Sequence, residues 1–178
     1  MNTKKIATIG IFSAMAFILH MLSFPLVPGF NFLKIDFSCV SIFTISLIYS
    51  STAGILTAFI KSSTHAIISQ SLAIGEIFDF FLSSFFILCM NFSIKIKKNF
   101  IESLSMATIL TTVVSAFFNY FIMLPSYLYL MNINMEKSKQ LKLILNLIVP
   151  FNLLKFSLMS FVTCLLFKKI KSNKFMTN

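Results

Sequence analysis

PFNLLK, at residues 150–155, places an amide and an ammonium group among apolar side chains, in a run that begins with a proline. It lies in an apolar segment between Lys142 and Lys168, and that segment can cross a bilayer, whose hydrocarbon core needs about 20 helical residues. Asn152 and Lys155 are three residues apart, so they point to one face of this helix. A lysine near mid-membrane costs about 2.5–3.5 kcal/mol on insertion scales, so we expect Lys155 to face a cavity or a partner group. The alternative is that Lys155 snorkels, or pairs with a carboxylate for packing alone.

The composition of the whole chain predicts an integral membrane protein. Of its 178 residues, 57% are hydrophobic and only 11% are charged, and the mean hydropathy is +0.91. An average soluble domain has about 25% charged residues. A chain of this length is expected to form one domain, residues 1–178. We therefore predict an all-α bundle of six transmembrane helices, at about 6–24, 37–49, 53–71, 75–94, 102–124 and 143–167.

The charge is strongly positive, at +10, and all basic residues are lysines. The lysines lie between apolar segments and do not form one soluble face, so we interpret them as signals of membrane orientation and expect no nucleic-acid partner. Their distribution predicts that both termini are cytoplasmic. The lysines on the inner side are then Lys4, Lys5, Lys95, Lys97, Lys98, Lys168, Lys169, Lys171 and Lys174; those in outer loops are Lys34, Lys137, Lys139 and Lys142.

The three cysteines, Cys39, Cys89 and Cys164, are far apart in apolar surroundings. The sequence has no CxxC motif and no cluster of cysteine and histidine, so neither a disulfide framework nor a metal site is expected.

Two pairs of polar residues fall within the predicted third and fourth helices. Lys61 and His65 are four residues apart, and we expect a satisfied polar pair in the bundle interior. Glu76 and Asp79 lie in the first turn or so of a helix that opens at about Gly75, where the helix dipole favours negative charge. An intramembrane enzyme would use His65, Glu76 or Asp79 as acid, base or metal ligand, but the sequence has no HExxH or GxSxG motif to support it.

The connection at residues 25–36 is too apolar for an ordinary solvated loop. A loop of this kind folds back over a protein surface or a ligand, so we predict that it caps a site. In the helix before it, Ala7, Gly10 and Ala14 form one stripe of small residues. Such a stripe allows close helix contact in lipid, either with a partner protein or inside the bundle.

The predicted topology brings polar groups together at the outer side of the membrane. The first loop, Glu76, Asn119 and Asn152 approach the outer half, and Lys61 and Lys155 lie deeper. Asparagine offers both a donor and an acceptor, which matches a ring edge with alternating carbonyl and N–H groups. The 23 phenylalanines suit the walls of a pocket for a flat aromatic ligand.

These residues resemble the substrate-binding S component of energy-coupling factor (ECF) vitamin transporters, specifically the riboflavin-binding RibU family. The matching pieces are spread over nearly the whole chain, and the two asparagine motifs are the most specific. They are FLKIDFS at 32–38, AGIL at 53–56, Ile60-Lys61 with His65, Gly75-Glu76, NYF at 119–121 with Leu124-Pro125, and PFNLLK at 150–155.

The resemblance implies a multi-pass protein of a bacterial cell membrane that binds riboflavin, with no catalytic residue and no cofactor. It implies that the vitamin is held beneath the first loop, and that the protein topples when it docks on a transmembrane coupling subunit driven by two ATPases. The sequence has no GxxxxGK[ST] loop, so partners must hydrolyse the ATP. The implied substrate-binding residues are Leu33, Lys34, Asp36, Phe37, Gly75, Glu76, Asn119, Asn152 and Lys155, and the implied docking residues are Ala7, Gly10 and Ala14.

The sequence also departs from the family pattern in two places. Cys39 and Ser41 stand near the positions of an acidic residue and a proline, and residues 69–74 replace a Gly/Thr-rich approach to Gly75. The second departure touches the expected lid. An S component for another vitamin, such as thiamine or pantothenate, and a passive scaffold therefore stay open as alternatives.

Overall fold

The computed structural model describes residues 3–26, 33–69, 74–96 and 99–176. Residues 27–32 of the predicted capping loop, residues 70–73 before Gly75, and Lys97 and Lys98 lie outside this part of the chain. The elements are α1 (Thr3–Met21), β1 (Phe24–Pro25), β2 (Lys34–Ile35), α2 (Ser38–Ile48), α3 (Ser51–Ile68), α4 (Ile74–Lys95), α5 (Phe100–Leu130) and α6, which covers residues 137–176.

The fold is an all-α bundle of apolar helices, as the composition predicts. Four of the helices in the described part of the chain, α1, α4, α5 and α6, are long and apolar enough to cross a membrane. Helix α2 is apolar but has only 11 residues, which makes it about 16 Å long. Helix α3 has 18 residues and buries polar side chains, among them Thr57 and Lys61. The bundle therefore turns a polar face of α3 inward, while many large apolar side chains on its outer surface are exposed.

The core lies where α2, α4 and α6 meet. Phe43 of α2 stacks on Phe86 of α4 with ring centroids 4.1 Å apart, and Phe86 stacks in turn on Phe156 of α6 at 5.6 Å. Helices α2 and α3 approach closely at Gly54, where an added Cβ would lie 2.6 Å from the Cβ of Ser46. This core fixes the helices around the cavity described below.

Helix α5 does not stop at Pro125, so the prediction of a helix end there is wrong. It passes through a π-helical turn at Asn119–Met123 and continues as α-helix over Leu124–Leu130. In the same way α6 begins at Lys137–Leu143, passes through a π-helical turn at Ile144–Ile148 and continues over Val149–Met176. Both helices thus extend into the stretch between the predicted helices at 102–124 and 143–167.

The two π-helical turns share a physical cause. Each ends two residues before a proline, Pro125 in α5 and Pro150 in α6. Proline has no N–H, and its ring clashes with the carbonyl four residues earlier. A wider turn relieves this clash without breaking the helix, and such turns are frequent at functional sites.

The first predicted helix ends earlier than expected, at Met21. Because the residue before a proline is biased towards extended backbone, the chain leaves the helix ahead of Pro25. It forms a short antiparallel ribbon in which Phe24 pairs with Ile35 and Pro25 pairs with Lys34. The predicted non-helical connection is therefore tied together at its two ends.

Candidate ligand-binding site

One cavity opens between the first loop and helices α3, α4, α5 and α6, and it collects most of the residues implied by the resemblance. Of the nine, only Phe37 is not among the lining residues in the described structure, and its side chain is 37% exposed. The eight that line the cavity are Leu33, Lys34, Asp36, Gly75, Glu76, Asn119, Asn152 and Lys155. That these side chains bind a ligand stays a prediction.

Ten further residues line the cavity that were not predicted from the sequence as site residues. Spacing could have found several of them, because Met123 and Tyr127 follow Asn119 by four and eight residues, and Ile148 precedes Asn152 by four. The full set of unassigned lining residues is His20, Lys61, His65, Phe78, Asp79, Leu82, Met123, Tyr127, Ile148 and Phe151.

The two asparagines are held by their own helices. The Asn119 side-chain amide donates to the carbonyl of Ser115 at 2.8 Å and to its hydroxyl at 3.2 Å. The Asn152 amide donates to the carbonyl of Ile148 at 2.9 Å. Both side chains are buried, and within the described residues no donor reaches either side-chain carbonyl oxygen. The asparagines are therefore oriented with acceptor capacity left over.

Lys155 pairs with two carboxylates. Its Nζ lies 3.2 Å from Oδ2 of Asp36 and 3.3 Å from Oδ1 of Asp79. The helix dipole alone was expected to account for Asp79. The structure shows that its carboxylate also contacts Lys155 and Lys61. These ion pairs explain how the bundle interior accommodates Lys155, whose exposed fraction is 8%.

Asp36 is positioned by the turn that starts α2. Its Oδ1 accepts a hydrogen bond from the backbone N–H of Ser38 at 3.0 Å, and the Ser38 hydroxyl also contacts it. The ribbon of β1 and β2 directs the chain into this turn, with Leu33 and Ile35 buried. Burial raises the pKa of Asp36, but the charges of Lys155 and Lys61 and the contact with His20 outweigh burial and hold that pKa well below its usual range. Asp36 is therefore an anion at neutral pH.

Helices α3 and α4 face each other with two cross-helix pairs. Lys61 contacts Asp79, and Nδ1 of His65 lies 2.9 Å from Oε1 of Glu76. Lys61 and His65 are four residues apart on α3, and Glu76 and Asp79 are three apart on α4. Each spacing puts two residues on one side of a helix, so both pairs form between the facing sides of antiparallel helices. Lys61 and His65 are therefore both satisfied, but each by an acid on α4 and not by the other.

The last turn of α1 also reaches the cavity. Nδ1 of His20 lies 3.5 Å from Oδ1 of Asp36, and the His20 ring packs edge-on against His65 with centroids 4.2 Å apart. Further along the same helix, Ala7, Gly10 and Ala14 are exposed, and a Cβ on Gly10 would meet nothing within 4 Å. This exposure argues against internal packing of the stripe, and its docking role stays a prediction.

Comparisons with known proteins place the chain in a class. Residues 4–167 match the family described as the substrate-specific component of ECF transporters. The fold is similar to that of a solved S component of a bacterial ECF transporter, with a TM-score of 0.83, 28% sequence identity, and coverage of 97% of this chain and 98% of that one. The chain belongs to the substrate-specific components of ECF transporters, which confirms the resemblance drawn from its residues.

Among curated relatives, the chain is similar to riboflavin transporters. It is 34% identical to riboflavin transporter FmnP of Bacillus subtilis (96% of this chain, 94% of that protein). It is 31% identical to riboflavin transporter RibU of Staphylococcus aureus (95% and 91%), and 30% identical to RibU of Streptococcus thermophilus (96% and 84%). Because the family consists of transporter subunits, the alternative of an intramembrane enzyme is not supported.

Proposed function

We propose that this chain is the riboflavin-binding subunit of an ECF importer in the cell membrane. The relatives named as riboflavin transporters share 30–34% of its residues over nearly its full length. The observation that carries the proposal is the set of hydrogen-bonding groups that the cavity leaves unused. These groups are complementary to one edge of a flavin.

The unused groups follow from counting donors. An ammonium has three N–H donors and an amide NH2 has two. Lys155 uses two donors on Asp36 and Asp79, so one remains. Asn152 uses one on Ile148, so one remains, while Asn119 uses both on Ser115 and keeps its carbonyl oxygen. The site therefore offers two donors and two acceptors, since Asn152 also keeps its carbonyl oxygen. The donors of Lys155 and Asn152 and the acceptor of Asn119 suit the C=O, N–H, C=O sequence at the pyrimidine end of riboflavin.

The walls and the charges of the cavity suit the same ligand. Phe78, Leu82, Phe151 and Ile148 provide apolar surface for a flat ring. The ion pairs of Lys61 and Lys155 with Asp36 and Asp79 balance in charge. A neutral ring fits beside these pairs, because a charged group placed there would find no unpaired partner among the four side chains.

Transport requires partners that hydrolyse ATP. The chain carries no phosphate-binding GxxxxGK[ST] loop, so its proposed partners are a transmembrane coupling subunit and two ATPase subunits. The exposed stripe of Ala7, Gly10 and Ala14 is the proposed surface for the coupling subunit, since small residues let helices approach closely in lipid.

The test of the proposed function is direct binding. Protein purified in detergent from cells supplied with riboflavin is expected to be yellow and to show flavin absorbance. The stripped protein should quench riboflavin fluorescence on titration and show no binding of thiamine or pantothenate in the same assay. Tight binding of one of those vitamins instead of riboflavin would reassign the ligand while leaving the family unchanged.

Each asparagine is expected to contribute to affinity. Asn152→Ala and Asn119→Ala should weaken riboflavin binding by about 5- to 150-fold each, because a lost buried hydrogen bond costs on the order of 1–3 kcal/mol. Fluorescence quenching measures the change. Asn146→Ala, at an exposed position on the same helix as Asn152, is the matched control and should bind as the wild type does. Wild-type affinity in both site variants would remove these asparagines from the site.

We also propose six membrane crossings with both termini in the cytoplasm, on the basis of the lysine distribution. A cysteine introduced at Asn134, in the connection between α5 and α6, should react with a membrane-impermeant maleimide added to intact cells. A cysteine at Lys169 should react only after the membrane is opened. Protein with the three native cysteines alone gives the background, and the opposite pattern of labelling would reverse the orientation.

A further inference from the structure

Lys155 and four other side chains, Asp36, Ser38, Lys61 and Asp79, form a closed circuit of contacts, which we call the charge network. Lys155 bridges Asp36 and Asp79. Lys61 contacts the second oxygen of Asp79, and its Nζ lies 3.4 Å from the Ser38 hydroxyl. That hydroxyl contacts Asp36 and completes the circuit. The network therefore joins the start of α2 to helices α3, α4 and α6.

The network is largely buried and balanced. Lys61 is 1% exposed, Asp36 is 2% exposed and Asp79 is 17% exposed, and the two lysines offset the two aspartates. An unpaired charge in such surroundings is strongly unfavourable, so each member depends on the others. A charge removed from the network can be compensated only by removing an opposite one.

The network also fixes where the Lys155 ammonium points. A lysine side chain is a flexible four-carbon stem with a point charge at its end, so one acceptor alone would leave its direction free. Two acceptors, Asp36 Oδ2 at 3.2 Å and Asp79 Oδ1 at 3.3 Å, define two of its three donor directions. The third donor then has a defined direction. Because Lys155 lines the cavity, that donor is available to a ligand there.

We infer that Asp79 is a positioning residue for the ligand: it acts through Lys155, and Lys61 holds it in place. The inference rests on the proposed binding of riboflavin. Asp79 is suited to this role because it sits on α4, a helix of 22 residues, and uses both carboxylate oxygens on the two lysines. A charge-assisted hydrogen bond is more sensitive to direction and distance than a simple charge balance.

A double-mutant cycle on Asp79 and Lys155 tests this role. Asp79→Asn should weaken riboflavin binding about tenfold or more, measured by fluorescence quenching, because the ammonium loses one of its two anchors. In a Lys155→Met background the same change should alter affinity by less than about threefold, since residues that act as a unit are not additive. The visible spectrum of the bound flavin should shift in the same way in both single variants. Glu136→Gln, at an exposed position, should leave affinity and spectrum unchanged.

A second variant separates positioning from charge balance. Lys61→Met with Asp79→Asn removes one charge of each sign and leaves Lys155 paired with Asp36. This double variant should regain the thermal stability lost in Asp79→Asn while its affinity stays low. It also remains informative when Asp79→Asn alone does not fold, because its network is balanced.

Two results would overturn the inference. One is recovery of affinity together with stability in the Lys61→Met/Asp79→Asn variant, which would reduce Asp79 to a counter-charge. The other is full additivity of Asp79→Asn and Lys155→Met. Either result leaves the proposed function standing if the wild type binds riboflavin, whereas a wild type that binds none removes both proposals.

Discussion

Lys155→Met should abolish tight riboflavin binding and destabilise the ligand-free protein. The variant leaves Asp36 and Asp79 with only Lys61 to offset them, and breaking a buried ion pair by removing one partner costs about 3–5 kcal/mol. It also removes the donor proposed to reach the flavin. Loss of a charged hydrogen bond should weaken riboflavin affinity by about 10- to 150-fold. Thermal unfolding in detergent and flavin fluorescence quenching measure the two effects separately.

The control for Lys155→Met restores the balance of charge without restoring the donor. Lys155→Met combined with Asp79→Asn leaves Asp36 and Lys61 as the charged members of the network. Thermal stability should return towards the wild-type value, and riboflavin affinity should stay low. If Lys155 serves packing alone, Lys155→Met will instead bind riboflavin normally and be at least as stable as the wild type.

Gly10→Trp should stop uptake and leave binding intact. The site lies at the other end of α1, where His20 approaches Asp36, so a change at Gly10 should disturb it little. A Cβ at Gly10 would meet nothing in the isolated protein, and a tryptophan there would hold a partner helix away. Flavin uptake by cells and co-purification of the coupling subunit should both be lost, while the purified variant quenches riboflavin fluorescence as the wild type does.

A tryptophan elsewhere on the lipid-facing surface is the matched control for this docking prediction. Ile109 of α5 is 56% exposed, and Ile109→Trp adds similar bulk away from the stripe. It should keep both uptake and assembly. If Gly10→Trp loses riboflavin binding while the complex still assembles, the stripe is internal packing and the docking surface lies on another face.

The sequence predicted the bundle and the convergence of Asn119, Asn152 and Lys155, because helical spacing and lysine placement are local properties of the chain. It did not predict the partners of Lys155. Asp36 is 119 residues away from it, and periodicity tells which face of a helix a residue occupies but not which other helix it meets. The dipole of α4 was expected to account for the charge of Asp79, so its contacts with lysines on α3 and α6 were not predicted.

The ends of α5 and α6 were missed for a related reason. Pro125 is a strong signal for a helix end, and in α5 the preceding residues widen into a π-helical turn that accommodates it. No pattern in the residues distinguishes a helix that ends before a proline from one that widens before it. His20 was not assigned to the site because its contacts, to Asp36 and His65, come from two other elements.

The charge network implies an order of assembly during biogenesis. Ribosomes make the chain from its amino end, so Asp36, Lys61 and Asp79 enter the bilayer before the segment that carries Lys155. At that stage the charge network consists of two carboxylates and one ammonium, an excess of one negative charge. The last segment supplies the missing positive charge, because its Lys155 can pair with the carboxylates of Asp36 and Asp79 and need not face lipid. Capture of that segment by the unfinished bundle thus lowers the barrier to inserting a lysine that lipid alone would disfavour.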